Sequence, residues 1–170
     1  MAKTDNIDSD NFSLCKNIHF PYKVDIKFPG DLEYIPAVRK FIAEVLQVSN
    51  FSPKFAYRSE IIVDEICNNA VVYGCQTDNA EIVLSNTISK DTIEFHIQDQ
   101  GGTQDNVKRL KKAVNTATNE KEENVQEGLG LEIVRMLSER LDVVINEDNL
   151  TSVHIVRKRE DEREDFRPSP

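Results

Sequence analysis

Glu65 and Asn69 stand four residues apart in Ser59–Gly74, a stretch with helical periodicity. Side chains at positions i and i+4 of a helix lie on one face, so these two can address the same ligand. An amide oxygen is a hard ligand that suits Mg²⁺, and a carboxylate beside it can take a proton from an attacking hydroxyl group or water. The pair therefore indicates a site for a magnesium-bound substrate.

Asp99 follows an alternating stretch, Thr92–Gln98. Its carboxylate is predicted at the end of a strand, where it can accept a hydrogen bond from an exocyclic amine. Gly101 and Gly102 come next, and glycines allow the backbone to approach a flat ligand closely. Three apolar side chains of the stretch face one way: Ile93, Phe95 and Ile97.

Gly128-Leu129-Gly130-Leu131 opens a further periodic segment. The first N–H groups of a helix have no partner within the helix, so they bind anions such as phosphate. Three signals together suit a magnesium nucleotide. They are an acid and an amide one helical turn apart, an aspartate before glycines, and a helix that begins with glycine.

Each signal alone also has an ordinary structural explanation. Asp64 with Asn68 makes an equivalent pair one residue earlier, and both pairs flank the apolar face of the helix about equally. Asp99 with the glycines after it fits a turn, and Gly128 fits a loop-to-helix join. Periodicity leaves the choice between the two acid–amide pairs open.

With these motifs in this order, the chain resembles the Bergerat-fold ATPases, the group shared by gyrase, histidine kinases and mismatch-repair proteins. Within that group it resembles the small bacterial anti-sigma factors that are also serine protein kinases. The resemblance covers residues 22–158 and implies ATP and Mg²⁺ as cofactors. It also implies that the protein phosphorylates an anti-anti-sigma partner on serine and binds a sigma factor at another surface.

The resemblance implies a role for each motif position. Glu65 matches the catalytic carboxylate, which would act as the base, and Asn69 matches the magnesium ligand. The pattern Asn-Ala-x-x-x-Gly favours this pair over the earlier one. The positions implied to bind nucleotide are Asn69, Tyr73, Asp99, Gly101, Gly102, Gly128, Leu129, Gly130, Leu131 and Thr151.

Three departures from the family pattern favour an alternative, a nucleotide-sensing module that binds its partner without phosphotransfer. Thr103 stands where the second glycine of Asp-x-Gly-x-Gly is expected. Tyr73 replaces the histidine of many kinase-type members, and residues 124–127 offer no basic side chain beside the phosphate turn.

Composition sets the class of protein. A chain of 170 residues, 39% of them hydrophobic, is long enough for one good core. We predict a flexible segment over 1–21, an ATP-binding domain over 22–158 and a charged disordered tail over 159–170. The net charge of −9 argues against a nucleic-acid surface and favours a protein partner. The resemblance also implies a homodimer, with the first strand and helix as a candidate interface.

The cysteines, histidines and apolar runs carry no further site. Three cysteines without a framework, no apolar run of spanning length and no signal peptide predict a cytoplasmic protein without membrane contact. The histidines are far apart in sequence and lack ligand spacing, so we interpret them as surface or hydrogen-bonded sheet residues. They are His19, His96 and His154.

The elements that position these motifs follow from periodicity. Residues 103–127 show little periodicity and are interpreted as a nucleotide lid. Its basic cluster either reaches phosphates or lies on a solvated short helix; the cluster is Lys108, Arg109, Lys111 and Lys112.

The predicted fold is an α/β (α+β) two-layer sandwich, a mostly antiparallel mixed sheet with helices on one face. The predicted strands are Tyr22–Phe28, Glu81–Ile88, Thr92–Gln98, Asp142–Asn146 and Thr151–Val156, and the predicted helices are 31–47, 54–73 and 131–141.

Overall fold

A computed structural model of the protein describes residues 19–75, 77, 79–118, 129–147 and 150–159. The segments predicted to be flexible or disordered at the two ends lie mostly outside these residues, as do Gly128 and residues 124–127. The described elements are β1 (Tyr22–Pro29), α1 (Ile35–Val48), α2 (Pro53–Gly74), β2 (Glu81–Ile88), β3 (Thr92–Gln98), α3 (Gln104–Thr118), α4 (Leu129–Met136), β4 (Arg140–Ile145) and β5 (Thr151–Lys158).

The five described strands form one sheet in the order β1-β2-β3-β5-β4, with each neighbouring pair antiparallel. The segment that contains α3 and α4 joins β3 to β4, and β5 returns between them. The register pairs Gln98 with Ser152, so Asp99 lies beside Thr151 just beyond the end of β3. The topology therefore brings two predicted site residues together from positions 52 residues apart.

The predicted two-layer sandwich is confirmed. Ile93, Phe95 and Ile97 of β3 are buried beneath the helices, whereas Glu94 and His96 on the other face are half-buried. The main core combines this sheet face with α1 and α2, as residues such as Ile42, Leu46, Ile62, Ile66, Leu84 and Phe95 show.

The beginning of α1 differs from the prediction. Asp31 caps a short 3₁₀ turn, Leu32–Tyr34, by accepting a hydrogen bond from the Glu33 N–H at 2.9 Å, and α1 starts only at Ile35. The spacing of apolar residues in this helix predicts one buried stripe, made of Leu32, Ile35, Val38, Phe41, Ile42 and Val45. Of these, Leu32 and Phe41 are each 49% exposed. The stripe is narrower than its periodicity indicated because one face of α1 packs on the molecule and its flanks do not.

Helix α2 is capped by Ser52, which accepts a hydrogen bond from the Phe55 N–H at 3.2 Å. Near this end the guanidinium of Arg157 is buried in the core. It donates to the carbonyl oxygen of Phe55 at 2.9 Å, to Ser59 Oγ at 2.6 Å and to the carbonyl oxygen of Leu137 at 2.8 Å. One side chain of β5 thus connects the beginning of α2 with the residue that follows α4.

The region between β3 and β4 contains the main corrections. Much of the predicted lid is a regular helix, α3, where Val107 and Leu110 are buried and the side chains of Lys108 and Arg109 are exposed. Its apolar stripe is too short to stand out among polar residues. The next helix, α4, ends at Met136, and Leu141, predicted to be helical, belongs to β4 opposite Ile155. The prediction from apolar spacing was wrong for Leu141 because this residue fits both a helical stripe and a strand alternation.

Candidate functional site

The two acid–amide pairs of α2 lie in different surroundings. Asp64 Oδ1 forms an ion pair with Arg39 Nε of α1 at 3.2 Å, without the angle of a hydrogen bond. Asn68 Nδ2 donates to the Asp64 carbonyl oxygen at 2.7 Å and to Asp64 Oδ2 at 3.3 Å. The earlier pair is therefore occupied by contacts within α2 and with α1.

Asn69 lines a small internal cavity between α2 and the sheet. Its Nδ2 atom is buried and has no hydrogen-bond partner among the described residues. Because a buried amide without a partner costs free energy, such a group in a native fold calls for a ligand or a functional explanation.

Asp99 is buried and lines the same cavity. Its Oδ1 accepts hydrogen bonds from the Gly101 N–H at 2.9 Å and from the Thr151 N–H at 3.2 Å. Burial raises the pKa of the Asp99 carboxyl, and the hydrogen bonds from Gly101 and Thr151 lower it by less. The carboxylate is therefore fixed in orientation and keeps acceptor capacity for a ligand.

Two glycines make room for this carboxylate and the turn after it. A Cβ atom on Gly74 would lie 2.1 Å from Asp99 Cγ, and one on Gly102 would lie 1.8 Å from the carbonyl oxygen of Tyr73. Gly101 has φ 89°, a conformation that favours glycine. The glycines of the sequence motif are thus required by contacts between the end of α2 and the end of β3.

The side chain of Glu65, on α2, lies against the start of α4. A Cβ atom on Gly130 would be 2.1 Å from Glu65 Oε2, so the carboxylate packs directly against the first turn of that helix. Burial, and then the negative charge of Asp64, raise the pKa of Glu65. Within the described ranges no hydrogen bond or ion pair engages this carboxylate. It is a half-buried acid beside a helix N-terminus.

The cavity has a volume of only about 10 Å³. It brings together four of the predicted site residues, namely Asn69, Asp99, Leu131 and Thr151. The other lining residues were not predicted as site residues, although most were visible as apolar positions of helices and strands. They are Ile66, Ala70, Ile97, Leu110, Val143 and Val153.

The other predicted positions that the structure describes do not line the cavity, and two of them, Tyr73 and Leu129, lie apart from it in the ways that follow. Tyr73 packs with Leu110 and Leu131 in a small second cluster, and the Arg109 guanidinium lies 5.5 Å from the centre of its ring. Leu129 is 58% exposed at the start of α4. Of the basic cluster, Lys108 lies 3.6 Å from Asp105, and the side chain of Lys111 is outside the described residues.

A larger open cleft of about 420 Å³ lies on the opposite face of the sheet and shares Asp99 and Thr151 with the cavity. An ion pair between Lys27 and Glu81, 2.6 Å apart, is at its rim. Neither Glu65 nor Asn69 contributes to it. Asn69, Asp99 and Thr151 therefore meet only at the closed cavity among these two pockets, and Glu65 lines neither of them.

The histidines of the open sheet face are hydrogen-bonded, as predicted. His96 Nε2 lies 2.6 Å from Ser152 Oγ, and His154 Nε2 lies 3.2 Å from Glu94 Oε2. In the part of the chain that the structure describes, no group of three or more His, Cys, Asp or Glu side chains is arranged to hold a metal ion.

Comparison with known proteins gives the family. The family model of the histidine kinase-like ATPase domain matches residues 28–157, which is most of the chain. The chain belongs to this family. Membership confirms the Bergerat-type resemblance and implies that the domain binds ATP.

Curated relatives carry the name serine-protein kinase RsbW. The protein of Bacillus cereus strain AH187 is 25% identical over 126 residues, which cover 74% of this chain and 79% of the relative. The protein of Bacillus mycoides strain KBAB4 is 27% identical over 127 residues, with the same coverage. No helix among the described residues is both long and apolar enough to cross a membrane.

Proposed function

We propose that this histidine kinase-like ATPase domain is a magnesium-dependent serine-protein kinase of the anti-sigma factor type. The observation that carries the proposal is the convergence of Asn69, Asp99 and Thr151 on one cavity, with Glu65 placed against the adjoining helix α4. These residues come from three separate parts of the chain, namely α2, the end of β3 and the start of β5, and the fold brings them together.

Asp99 would bind the adenine base. Its carboxylate is held by the N–H groups of Gly101 and Thr151, so it cannot turn away from the cavity without breaking both bonds. A fixed acceptor suits the exocyclic amine of adenine, whereas guanine carries a carbonyl oxygen at that position, which would face the carboxylate as one acceptor against another. This arrangement supports selectivity for adenine over guanine.

Asn69 would hold Mg²⁺ together with the phosphate oxygens of the nucleotide. The amide oxygen would be the ligand, and a single protein ligand is common for an ion that keeps several waters. The Nδ2 group, buried and without a partner among the described residues, would donate to a phosphate oxygen. When bound, the ion would offset the negative charge on the phosphates. The N–H groups at the start of α4, around Gly130, would face the same phosphates.

Glu65 would take the proton from the serine hydroxyl of the partner as that oxygen attacks the terminal phosphorus of ATP. The bond from that phosphorus to the bridging oxygen would break, and ADP would leave. A base works best when its pKa lies near the operating pH. Burial and the neighbouring Asp64 move the pKa of Glu65 in that direction. The carboxylate also lies against the helix end proposed to hold the phosphates, so base and phosphate would be neighbours.

The partners would be proteins. The name of the RsbW relatives, serine-protein kinase, supports a protein substrate, and the net charge of −9 is unsuited to direct nucleic-acid binding. We assign the serine substrate to an anti-anti-sigma domain and a second surface to a sigma factor, with a homodimer as the working assembly in the cytoplasm.

One alternative is favoured by specific observations: a nucleotide-sensing module that binds its partner without phosphotransfer. Tyr73, which stands where kinase-type members carry histidine, is buried beneath Arg109 and does not reach the cavity. Thr103 accepts a hydrogen bond from the Asn106 N–H at 3.2 Å, so it starts a helix where the family motif has a glycine.

The test is to incubate the pure protein with Mg²⁺, labelled ATP and candidate partner domains encoded nearby. Phosphoserine on a partner, absent when its acceptor serine is replaced by alanine, would establish the kinase. ATP-dependent binding without label transfer would establish the alternative. A folded protein that binds no ATP would contradict both.

A further inference from the structure

Three acidic residues lie close together on α2, namely Glu60, Asp64 and Glu65. Glu60 and Asp64 are one helical turn apart and share a face, whereas Glu65 is turned by about 100° from Asp64 around the helix axis. Helix α1 packs on the first face, and α4 packs beside Glu65. The proposed base is therefore next to a second carboxylate that could compete with it.

One basic side chain of α1 engages both acids of the first face. Arg39 Nη1 lies 3.2 Å from Glu60 Oε1, and Arg39 Nε lies 3.2 Å from Asp64 Oδ1. The other oxygen of Asp64, Oδ2, accepts a hydrogen bond from Asn68 at 3.3 Å. Both oxygens of Asp64 thus have partners, and neither partner lies on α4.

Glu65 is placed differently. Its carboxylate packs against α4 and has no hydrogen bond or ion pair among the described residues. Burial raises its pKa first, and the negative charge of Asp64 raises it second. Charges on the other described elements that pack against α2 have no such effect, so Glu65 responds to where the charge of Asp64 lies. Those charged groups include Lys108, Arg109, Glu132, Arg135, Asp99 and Arg157.

We propose that Arg39 is a positioning residue: by pairing with Asp64 it holds this second carboxylate against α1, so that Glu65 alone meets the reacting hydroxyl at the start of α4. This rests on the proposed function in one respect, that Glu65 is the base. Without Arg39, the Asp64 carboxylate would be free to turn towards Glu65, and its charge would no longer be offset. Two ionised carboxylates close together disfavour each other, so Glu65 would bind its proton more tightly.

The experiment measures the protonation of Glu65 directly, by NMR titration of its side-chain carboxyl carbon in the nucleotide-free protein. Arg39→Gln should move this titration to higher pH, and Asp64→Asn should move it to lower pH. In the Asp64→Asn background Arg39→Gln should have a much smaller effect, because Arg39 acts through Asp64. The control is Glu60→Gln, which removes the other partner of Arg39 and leaves Asp64 paired; it should shift the titration least.

The pH dependence of serine phosphorylation gives a second readout. In Arg39→Gln the acidic limb of the pH–rate profile should move to higher pH, because a protonated Glu65 cannot accept the serine proton. Transfer on that limb should be slower by about two- to fivefold, and the rate at higher pH should approach that of the wild-type protein. A loss of rate that is equal at every pH would mark Arg39 as a structural residue or a partner contact and would overturn the positioning role.

Two titration results would also overturn it. One is an unchanged titration of Glu65 in Arg39→Gln. The other is an equal shift by Arg39→Gln in the wild-type and Asp64→Asn backgrounds, which would mean that Arg39 acts on Glu65 directly. If Arg39→Gln does not fold, Asp64→Asn decides alone, since an unchanged titration there removes the influence of Asp64. The titration needs neither ATP nor a partner, so a protein that transfers no phosphate contradicts the proposed function and leaves this measurement intact.

Discussion

The two sides of the candidate site are built differently. On the sheet side, Asp99 and Thr151 lie at the ends of paired strands whose apolar residues belong to the main core. On the helix side, Glu65 abuts Gly130 at the start of α4, a helix of eight residues whose Leu131 belongs to the small second cluster. The sheet side is held by hydrogen bonds between paired strands, whereas the helix side is held by the packing of α4 on α2, in which Val134 belongs to the main core.

The two carboxylates, Asp99 and Glu65, also differ in the hydrogen bonds that hold them. Asp99 accepts two backbone hydrogen bonds through one oxygen, and Glu65 accepts none from the described residues. Burial raises the pKa of both groups, but hydrogen bonds lower the pKa of Asp99 alone. A carboxylate held by donors is suited to recognising a ligand, and one without donors is suited to accepting a proton. We therefore expect substitutions on the two sides to separate binding from chemistry.

The largest effect is expected from Glu65→Gln. The amide keeps the size of the side chain but cannot accept the serine proton, so transfer should fall by ~10²–10⁴-fold. ATP affinity should stay close to that of the wild-type protein, as measured by titration calorimetry. Glu60→Gln on the same helix is the control, because Glu60 pairs with Arg39 rather than with α4.

If phosphate transfer continued unchanged in Glu65→Gln, the protein would still be a kinase, but a residue other than Glu65 would be the base. Asp64 would be the next candidate, although its ion pair with Arg39 turns it towards α1. Loss of ATP binding together with transfer would show that Glu65 belongs to the binding side, and the separation between the two sides would fail.

Asp99→Asn tests the sheet side. Replacing the acceptor by an amide of equal size should weaken ATP binding by about 1–3 kcal/mol, the cost of leaving a buried polar group poorly paired. The fold should be retained, because the Asn oxygen can still accept from the N–H groups of Gly101 and Thr151. Unchanged ATP affinity in a folded Asp99→Asn protein would remove the adenine assignment.

The contribution of Asn69 should depend on the metal ion. Asn69→Ala should weaken nucleotide binding by about tenfold in Mg²⁺ and much less in EDTA, since its amide acts through the ion. Asn68→Ala is the matched control: Asn68 bonds to Asp64 and should show no metal-dependent loss. A magnesium-specific loss at Asn68, or equal losses in both buffers at Asn69, would contradict the assignment.

The sheet side was largely predictable from the sequence, and the helix side was not. Alternation placed Ile93, Phe95 and Ile97 on the buried face of β3, and the position of Asp99 followed from the end of that strand. The long helix was predicted within one residue at each end, because capping and periodicity agree there. Local patterns were sufficient where they coincide with the main core.

Periodicity did not separate the two acid–amide pairs, and the fold places them in different surroundings. Asp64 and Glu65 are adjacent and equally helical, and only the packing of α1 against one side and α4 against the other separates them. The place of Leu110 in the cavity wall was hidden for a related reason. Its stripe on α3 is short, and its significance depends on a cavity formed by five other elements. Contacts between distant segments leave little trace in local periodicity.

The smallest expected effect concerns the stability of the nucleotide-free protein. Burial raises the pKa of Asp99 above its ordinary value, so the folded state binds this proton more tightly than the unfolded state does. The resulting stability is fully present below the unfolded pKa and is lost as pH rises through the folded pKa. Asp99→Asn does not titrate there. Relative to this variant, the wild-type protein should therefore lose stability as pH rises above the ordinary pKa of an aspartate. Urea unfolding at several pH values measures the difference, and Asp91→Asn, at an exposed residue, controls for the change in net charge. A difference that is constant with pH, or that grows in favour of the wild-type protein at high pH, would mean that Asp99 is stabilised in its ionised form before any ligand arrives.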